Sequence, residues 1–347
     1  MSEYESNVDL AEVARMVIGA KHPAITTHAK PDGDAFGSAV ALAQVLKSNG
    51  ADVHTFFIPP VPAHISALDG ADLASVHDGS PLPDETDLLI IVDTGAWSQL
   101  APAQPQMEGH LEHTLIIDHH IRGDVDAKWK YIDHGAAASC EIMAILLEET
   151  GQILSVDPFA DPVVRDALFV GIAADTGWFR FSNTTPRTHE WAARLIREGV
   201  DHSALYGKIQ QSERPEKLAL MIRALDSLKM HADKRAAVMV LRAEDFAETG
   251  ALAEETERFV DVPQMVSTVQ IVVMITEPPE NGGDGTGRVG LSFRSKPGPD
   301  AVNVSDLAAQ FGGGGHARAA GAKLDAPIDE VISRVEQAIA AAFEQHV

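Results

Sequence analysis

The first half of the chain alternates between two kinds of apolar pattern. Short unbroken runs, Ala24-Ile25-Thr26-Thr27-His28, Leu88-Leu89-Ile90-Ile91-Val92-Asp93 and Leu115-Ile116-Ile117-Asp118, have the length and branching of strands buried on both faces. Between them lie helically spaced stretches, one from near Ser38 to the stop at Asn49-Gly50, another from Ser139 to Thr150 before Gly151. This alternation predicts an α/β domain with a mainly parallel sheet flanked by helices. From Pro186 to Met230 the pattern is helical and more polar, with Pro215 opening a second helix, and it reads as a linker between two lobes. The last third changes character: Gln270 to Thr276 and Arg288 to Arg294 read as strands, residues 277–287 as a Gly/Pro-rich loop, and a helical tail starts near Pro327. The expected division is a first domain over 1–186, a helical linker over 187–230 and a smaller α/β domain over 231–347.

Composition narrows the setting. Hydrophobic residues make up 45 % of the chain but aromatics only 5 %, so aliphatic side chains must fill the cores. The one cysteine, Cys140, excludes an intramolecular disulfide and any CxxC metal site, and fits a reducing cytoplasm. Its place in a helical pattern makes it a core residue. The acidic start lacks the apolar core of a secretory signal, and no apolar run is long enough to span a bilayer. The net charge of −24 would repel a long polyanion over most of the surface. A nucleic-acid substrate would therefore be short and held in a locally positive pocket, although solubility alone accounts for such acidity equally well.

Candidate chemistry sits where the apolar runs end. After the first run comes His28-Ala29-Lys30-Pro31-Asp32-Gly33-Asp34, two carboxylates and an imidazole in seven residues, with Gly33 expected to bend the chain between the acids. Asp also caps helices and occupies turns, so this segment alone leaves both readings open. Asp93 closes the most apolar run and opens Asp93-Thr94-Gly95, as a ligand or as the cap of the next helix. Asp118-His119-His120 ends the third run. A fourth apolar segment, from Ala167, delivers Asp175 into Thr176-Gly177, with Arg180 and Asn183 following. Converging on one sheet edge, His28, Asp32, Asp34, Asp93, Asp118, His119, His120 and Asp175 would repel one another unless cations neutralised them. Oxygen-rich ligation with some imidazole favours Mn²⁺ over zinc or pure Mg²⁺ chemistry. Two such ions, about 3.5–4 Å apart, are the usual arrangement for displacement at phosphorus.

A second candidate site is the run Gly312-Gly313-Gly314-Gly315-His316, continuing into Ala317-Arg318-Ala319-Ala320-Gly321, a helix-like stretch of small residues. Bare backbone N–H groups cradle phosphate oxygens. Residues 282–324 hold five Lys/Arg against three acids in an otherwise acidic chain, and Arg294 ends a predicted strand, well placed for a bidentate phosphate contact.

In this order, the four segments and the glycine run resemble the DHH phosphoesterase family, over about residues 10–340. Asp118-His119-His120 matches the motif that names the family. The glycine-His segment, with Ser292-Phe293-Arg294-Ser295 before it, looks like the DHH-associated C-terminal domain. The pattern is similar to the nano-RNase/pAp-phosphatase type, some actinobacterial members of which also degrade cyclic di-AMP. The resemblance implies that His28, Asp32 and Asp93 hold one Mn²⁺ and Asp34, Asp93, His119 and Asp175 the other, with Asp93 bridging. Mg²⁺ or Co²⁺ would be substitutes. His120 would contact the scissile phosphate and Asp118 would orient an imidazole. Arg294, Gly312, Gly313, Gly314, Gly315 and His316 would bind the far phosphate or base. Implied substrates are short oligoribonucleotides and pAp, with cyclic di-AMP or linear pApA as in the actinobacterial members; implied assembly is a homodimer. One departure is the insertion at 277–287. Two rival activities share the metal site: inorganic pyrophosphate or polyphosphate hydrolysis, which the glycine-His segment argues against, and a RecJ-like single-strand exonuclease, for whose extra nucleic-acid-binding domains 347 residues leave no room. A silent nucleotide sensor would lack a metal ligand, and none is missing.

Overall fold

The computed structural model describes residues 4–277, 287–298 and 301–344. Most of the expected insertion, 278–286, lies outside these residues. The chain forms two compact units, 1–212 and 213–347. Among the described residues no helix is long and apolar enough to cross a membrane.

In the first unit the elements follow as α1 (Leu10–Gly19), β1 (Pro23–Thr26), α2 (Gly33–Ser48), β2 (His54–Phe57), α3 (Ala63–Ser66), β3 (Ala74–Val76), β4 (Leu88–Val92), α4 (Trp97–Leu100), α5 (Gln104–Met107), β5 (Thr114–Asp118), β6 (Trp129–Ile132), α6 (Ser139–Leu154), α7 (Pro162–Asp175), α8 (Pro186–Arg197) and α9 (His202–Gln210). The strands make one parallel sheet in the order β3-β2-β1-β4-β5-β6. Its faces account for the unbroken apolar runs: Leu88, Ile90 and Val92 of β4 enter one core, Leu89 and Ile91 the other. Strand order reverses between β1 and β4, where open parallel sheets leave a crevice at the strands' carboxyl ends.

Helix α2 starts five residues earlier than its pattern suggested, at Gly33 instead of near Ser38. The segment expected to bend at Gly33 is its first turn. The glycines there serve close helix packing: a Cβ on Gly37 would lie 2.3 Å from the Ala167 carbonyl oxygen of α7, and one on Gly33 2.6 Å from the Ala174 Cβ. Only glycine permits so near an approach, and the packing outweighs its poor helix propensity.

The second unit contains α10 (Pro215–Asp226), β7 (Lys229–His231), β8 (Ala236–Leu241), α11 (Ala243–Thr249), β9 (Ile271–Thr276), β10 (Val289–Ser295), α12 (Val304–Ala309), β11 (Gly314–His316), β12 (Ala319–Leu324) and α13 (Ile328–Glu344). Its mixed sheet runs β11-β12-β10-β9-β8-β7, with only β8 and β9 parallel. The small-residue stretch after His316 is a turn and a strand, not a helix: Ala320, Ala322 and Leu324 alternate into the core, and pairing on both sides overrides alanine's helical preference. The segment 187–230 is shared between the units. Trp191, Leu195 and Leu205 from α8 and α9 join the first unit's core, while Leu220 and Ala224 of α10 join a core of the second.

Candidate metal centre

Three strand ends and two helix ends meet beside the β1–β4 reversal. His28 lies just past β1. Asp32 caps α2, its Oδ1 accepting from the backbone N–H of Asp34 at 2.9 Å and of Ala35 at 3.1 Å. Asp34 is in the first turn of α2, and Asp93 follows β4 with a left-handed φ of 61° that Asp tolerates better than most residues. It does not cap the next helix, whose cap position is Ala96. Asp118 ends β5, ahead of His119 and His120. Asp175 ends a helix, α7, so the fourth apolar segment reaches the site by a different route from the strands.

These side chains form two donor groups that share one residue. His28 Nε2 lies 3.9 Å from Asp32 Oδ1 and 3.5 Å from Asp93 Oδ2. His119 Nε2 lies 3.5 Å from Asp93 Oδ1, 3.5 Å from Asp175 Oδ2 and 4.0 Å from Asp34 Oδ2. Asp93 thus offers one oxygen to each group. The separations exceed hydrogen-bonding distance, and His119 Nε2 is buried with no hydrogen-bond partner. A divalent first-row ion holds such donors at about 2.0–2.2 Å, which allows two of them to lie up to roughly 4 Å apart. The donor set therefore fits cations. Each imidazole is set for this role: Nδ1–H of His28 donates to the Ala29 carbonyl at 3.0 Å, and Nδ1–H of His119 to the Ala136 carbonyl at 3.2 Å, leaving Nε2 to face the acids.

The electrostatics without cations are unfavourable. Burial, and then the neighbouring Asp32, push Asp34 up to about 6. Asp175 is pushed up to about 7 by burial and Asp34. Asp93 rises well above the usual carboxylate range, from burial first and then Asp34, Asp32, Asp118 and Asp175. Carboxyls this reluctant to ionise together are the signature of a site completed by positive charge.

Asp118 behaves differently. Burial alone would raise it, but hydrogen bonds from His120 and Tyr4 overcome this and hold it below the usual range. Its Oδ1 accepts from the backbone N–H of His119 and from Nδ1–H of His120, at 2.8 and 2.7 Å; its Oδ2 accepts from the Tyr4 hydroxyl at 2.7 Å. So engaged, both of its oxygens are spoken for by hydrogen-bond donors, and it orients the His120 ring. The bond that His120 donates to Asp118 raises the His120 pKa, and the half-exposed ring directs Nε2 away from Asp118.

Two further contributors escape a reading of local motifs. The first turn of α6 clasps Asp34, with backbone N–H groups of Ser139 and Cys140 donating to Oδ2 and Oδ1 at 2.6 and 2.8 Å. The helix N-terminus favours the anion there. The Ser139 hydroxyl donates to Asp93 Oδ1 at 2.9 Å. Tyr4 is the other, 114 residues from Asp118. Arg180 remains local, its Nε–H donating to the Gly177 carbonyl at 2.7 Å. Asn183 braces the centre, donating to the carbonyls of Asp175 and Ala137.

The C-terminal candidates form a separate group on the second unit's sheet. Arg294 of β10 and His316 of β11 both pair with Ala319 of β12, so all three lie on one face at one register. Ser292, Gly321 and Gly314 occupy the next register on that face. The Arg294 guanidinium donates to the Phe293 carbonyl at 3.0 Å and lies 3.9 Å from Asp261. Gly313 and Gly315 are glycine for a packing reason: a Cβ on either would meet a carbonyl oxygen of β12, at 2.1 and 2.6 Å. Gly312 turns with φ 74°, and Gly314 has open space around it.

Comparison with known proteins agrees with this division. The model of the DHH family N-terminal domain matches residues 23–172, and that of the DHHA1 domain matches 223–344. The bifunctional oligoribonuclease and PAP phosphatase NrnA of Thermus thermophilus is 29 % identical over 331 residues, covering 95 % of this chain and 92 % of that protein. The cyclic-di-AMP phosphodiesterase GdpP of Bacillus subtilis is 24 % identical, covering 92 % of this chain but 48 % of that protein. Among solved structures, an exopolyphosphatase-related protein from Bacteroides fragilis shares the fold with a TM-score of 0.85 at 21 % identity, covering 97 % of this chain and 96 % of that one. With both domains matched in order, the chain belongs to the DHH family of phosphoesterases.

Proposed function

We propose that this protein is a Mn²⁺-dependent hydrolase of small nucleotide phosphoesters. Its substrates are short oligoribonucleotides, pAp (cleaved to AMP) and cyclic di-AMP or its linear product pApA. The observation that carries the metal-dependent part is the split of Asp93, whose two oxygens each lie 3.5 Å from a different imidazole. In this reading His28, Asp32 and Asp93 hold one cation; Asp34, Asp93, His119 and Asp175 hold the other. The ions, when bound, would supply an activated water and neutralise charge on the phosphate.

The chain's own residues do the rest. Ser139 and the α6 N-terminus keep Asp93 and Asp34 aimed into the cluster. Asp118 holds the His120 ring so that its free nitrogen meets the scissile phosphate, and the raised pKa of that ring favours the cationic form for this contact. Arg294, the backbone of Gly312, Gly313, Gly314 and Gly315, and His316 bind the phosphate or base farthest from the cut. The open face that Arg294 shares with small residues supports this role. A catalytic first domain, 1–186, and a substrate-binding domain, 231–347, follow from the same assignment.

The substrate class rests on the relative named as an oligoribonuclease and PAP phosphatase, and the cyclic dinucleotide on the one named for cyclic di-AMP. The net charge of −24 supports small substrates over long duplexes. A cytoplasmic homodimer completes the proposal, its location supported by the one buried, free cysteine and its assembly by family resemblance.

The test is a matched panel with Mn²⁺: pAp, a 5′-phosphorylated RNA dinucleotide, a cyclic dinucleotide, a long single-stranded RNA and pyrophosphate. Small nucleotides should give mononucleotide while the long RNA survives, and the relative rates then name the substrate. Consumption of pyrophosphate alone, or fastest loss of the long RNA, would overturn the assignment of the second domain.

A further inference from the structure

The segment ahead of α1 runs beside the edge strand β6. The backbone N–H of Asn7 donates to the Lys130 carbonyl at 2.9 Å, and that of Lys130 returns a bond to Asn7 Oδ1 at 2.7 Å. The Ser6 hydroxyl accepts from the Ile132 N–H at 2.7 Å and donates to the Ile132 carbonyl at 3.0 Å. Side chains here satisfy the edge groups that another strand would otherwise take. This strap delivers Tyr4, whose own carbonyl accepts from Nε2 of His134 at 3.0 Å.

The Tyr4 ring fills a slot walled by two glycines. A Cβ on Gly95 would lie 2.0 Å from the phenol oxygen, and one on Gly123 2.4 Å from a ring carbon. At the bottom of the slot the hydroxyl meets Oδ2 of fully buried Asp118, while Oδ1 of the same carboxylate carries His120 and the His119 and His120 amides. A tyrosine held only for packing has no need to end on a carboxylate. Here the hydroxyl satisfies the one Asp118 oxygen that the histidine loop leaves over, and so fixes the rotation of the carboxylate plane.

We propose that Tyr4 is a positioning residue for phosphoester hydrolysis, acting through Asp118 on the imidazole of His120. The inference rests on the reading of this cluster as a phosphoesterase centre. Without the hydroxyl, Oδ2 is a buried acceptor with a lost partner, and Asp118 turns toward other donors or admits water. His120 then loses a fixed orientation, while His28, Asp32, Asp34, Asp93 and Asp175, which Tyr4 does not touch, keep theirs.

Tyr4→Phe tests this, since the ring still fills the slot. With pAp and saturating Mn²⁺, kcat should fall about 10-fold, in the range usual for partners that orient catalytic groups. KM and the half-saturating Mn²⁺ concentration should stay within about twofold of the wild type. Rates are referred to the concentration of folded, Mn²⁺-binding protein, so that a misfolded fraction does not enter. A kcat within about twofold of wild type overturns the proposal, as does a loss matched by an equal rise in the Mn²⁺ requirement, which would place Tyr4 in assembly of the metal site. Wild-type protein inactive on every phosphoester of the panel would instead overturn the phosphoesterase reading itself.

Discussion

At the sheet edge of the first unit Asp34, Asp93 and Asp118 are 1 %, 2 % and 0 % exposed, each held by donors from elements far away in sequence. On the second unit's sheet, Arg294 is half-buried and His316 exposed, among residues with almost no side chain. The first region has its charges fixed by packing and by hydrogen bonds from distant elements; the second offers room and a few donors on a bare face. Buried like charges cost folding energy unless neutralised, so a chain keeps them only where the neutralising partner is part of the function. A bare, open face costs little, which fits the proposal that it takes more than one nucleotide.

The sharpest way to break that contrast is to remove the shared ligand. Asp93→Ala should abolish hydrolysis, by about three orders of magnitude, since metal charge stabilisation is worth several kcal/mol. Activity within about tenfold of the wild type would mean that the two donor groups do not act as one centre. By the same logic Arg294→Ala should act on binding alone: kcat/KM for pAp should fall about 10–100-fold, mostly through KM, as for a lost charged hydrogen bond. A drop in kcat with KM unchanged would move Arg294 to the reacting phosphate.

Metal removal gives a third handle through pH. Asp34 and Asp175 have folded-state pKa values raised to about 6 and about 7. An unfolded Asp titrates near about 3.9. Between these values the folded chain binds more protons than the unfolded one, so this contribution to stability is complete below about pH 4 and is lost as pH rises through 6 to 7. In chelator, the wild type should lose melting temperature relative to Asp175→Asn between about pH 4 and 7, and Mn²⁺ should reverse the loss. A difference that stays flat with pH would mean that the cluster does not repel itself as its geometry indicates.

How much of this was legible beforehand differs between the regions for physical reasons. The parallel sheet and its loaded edge were readable because a strand buried on both faces must be apolar throughout, which makes a terminal Asp93 or Asp118 conspicuous. The start of α2 was not, because Gly33 and Gly37 carry turn propensity in any local window while their reason, the Ala167 and Ala174 backbone and side chain, lies over a hundred residues on. Ser139 and Tyr4 were invisible for the same cause: their partners are 46 and 114 residues away. The Ala/Gly stretch after His316 misled because small residues carry too little apolar contrast to separate period two from period 3.6.

The smallest expected effects come from adding one methyl group in each region. Gly171 lies where α7 crosses α6 and α2, and a Cβ there would be 2.2 Å from Cys140 Sγ and 2.8 Å from Asp34 Oδ1. The added carbon would press on the buried Cys140 thiol and on an Asp34 oxygen clasped by α6, so Gly171→Ala should cost about 1–3 kcal/mol of stability, the usual toll of overpacking, and raise the Mn²⁺ requirement with it. Gly314, on the open face, has nothing within 4 Å of the same added carbon and no left-handed φ. There the methyl group should leave thermal stability within about 0.5 kcal/mol of wild type, as for surface positions generally. Any effect of Gly314→Ala should appear in KM for the nucleotide alone. Equal melting-temperature losses for the two variants would erase the distinction between a preformed centre and a face that waits for its ligand. A loss confined to Gly171→Ala, with Mn²⁺ restoring part of it, would show that packing around Asp34 and cation binding draw on the same few side chains.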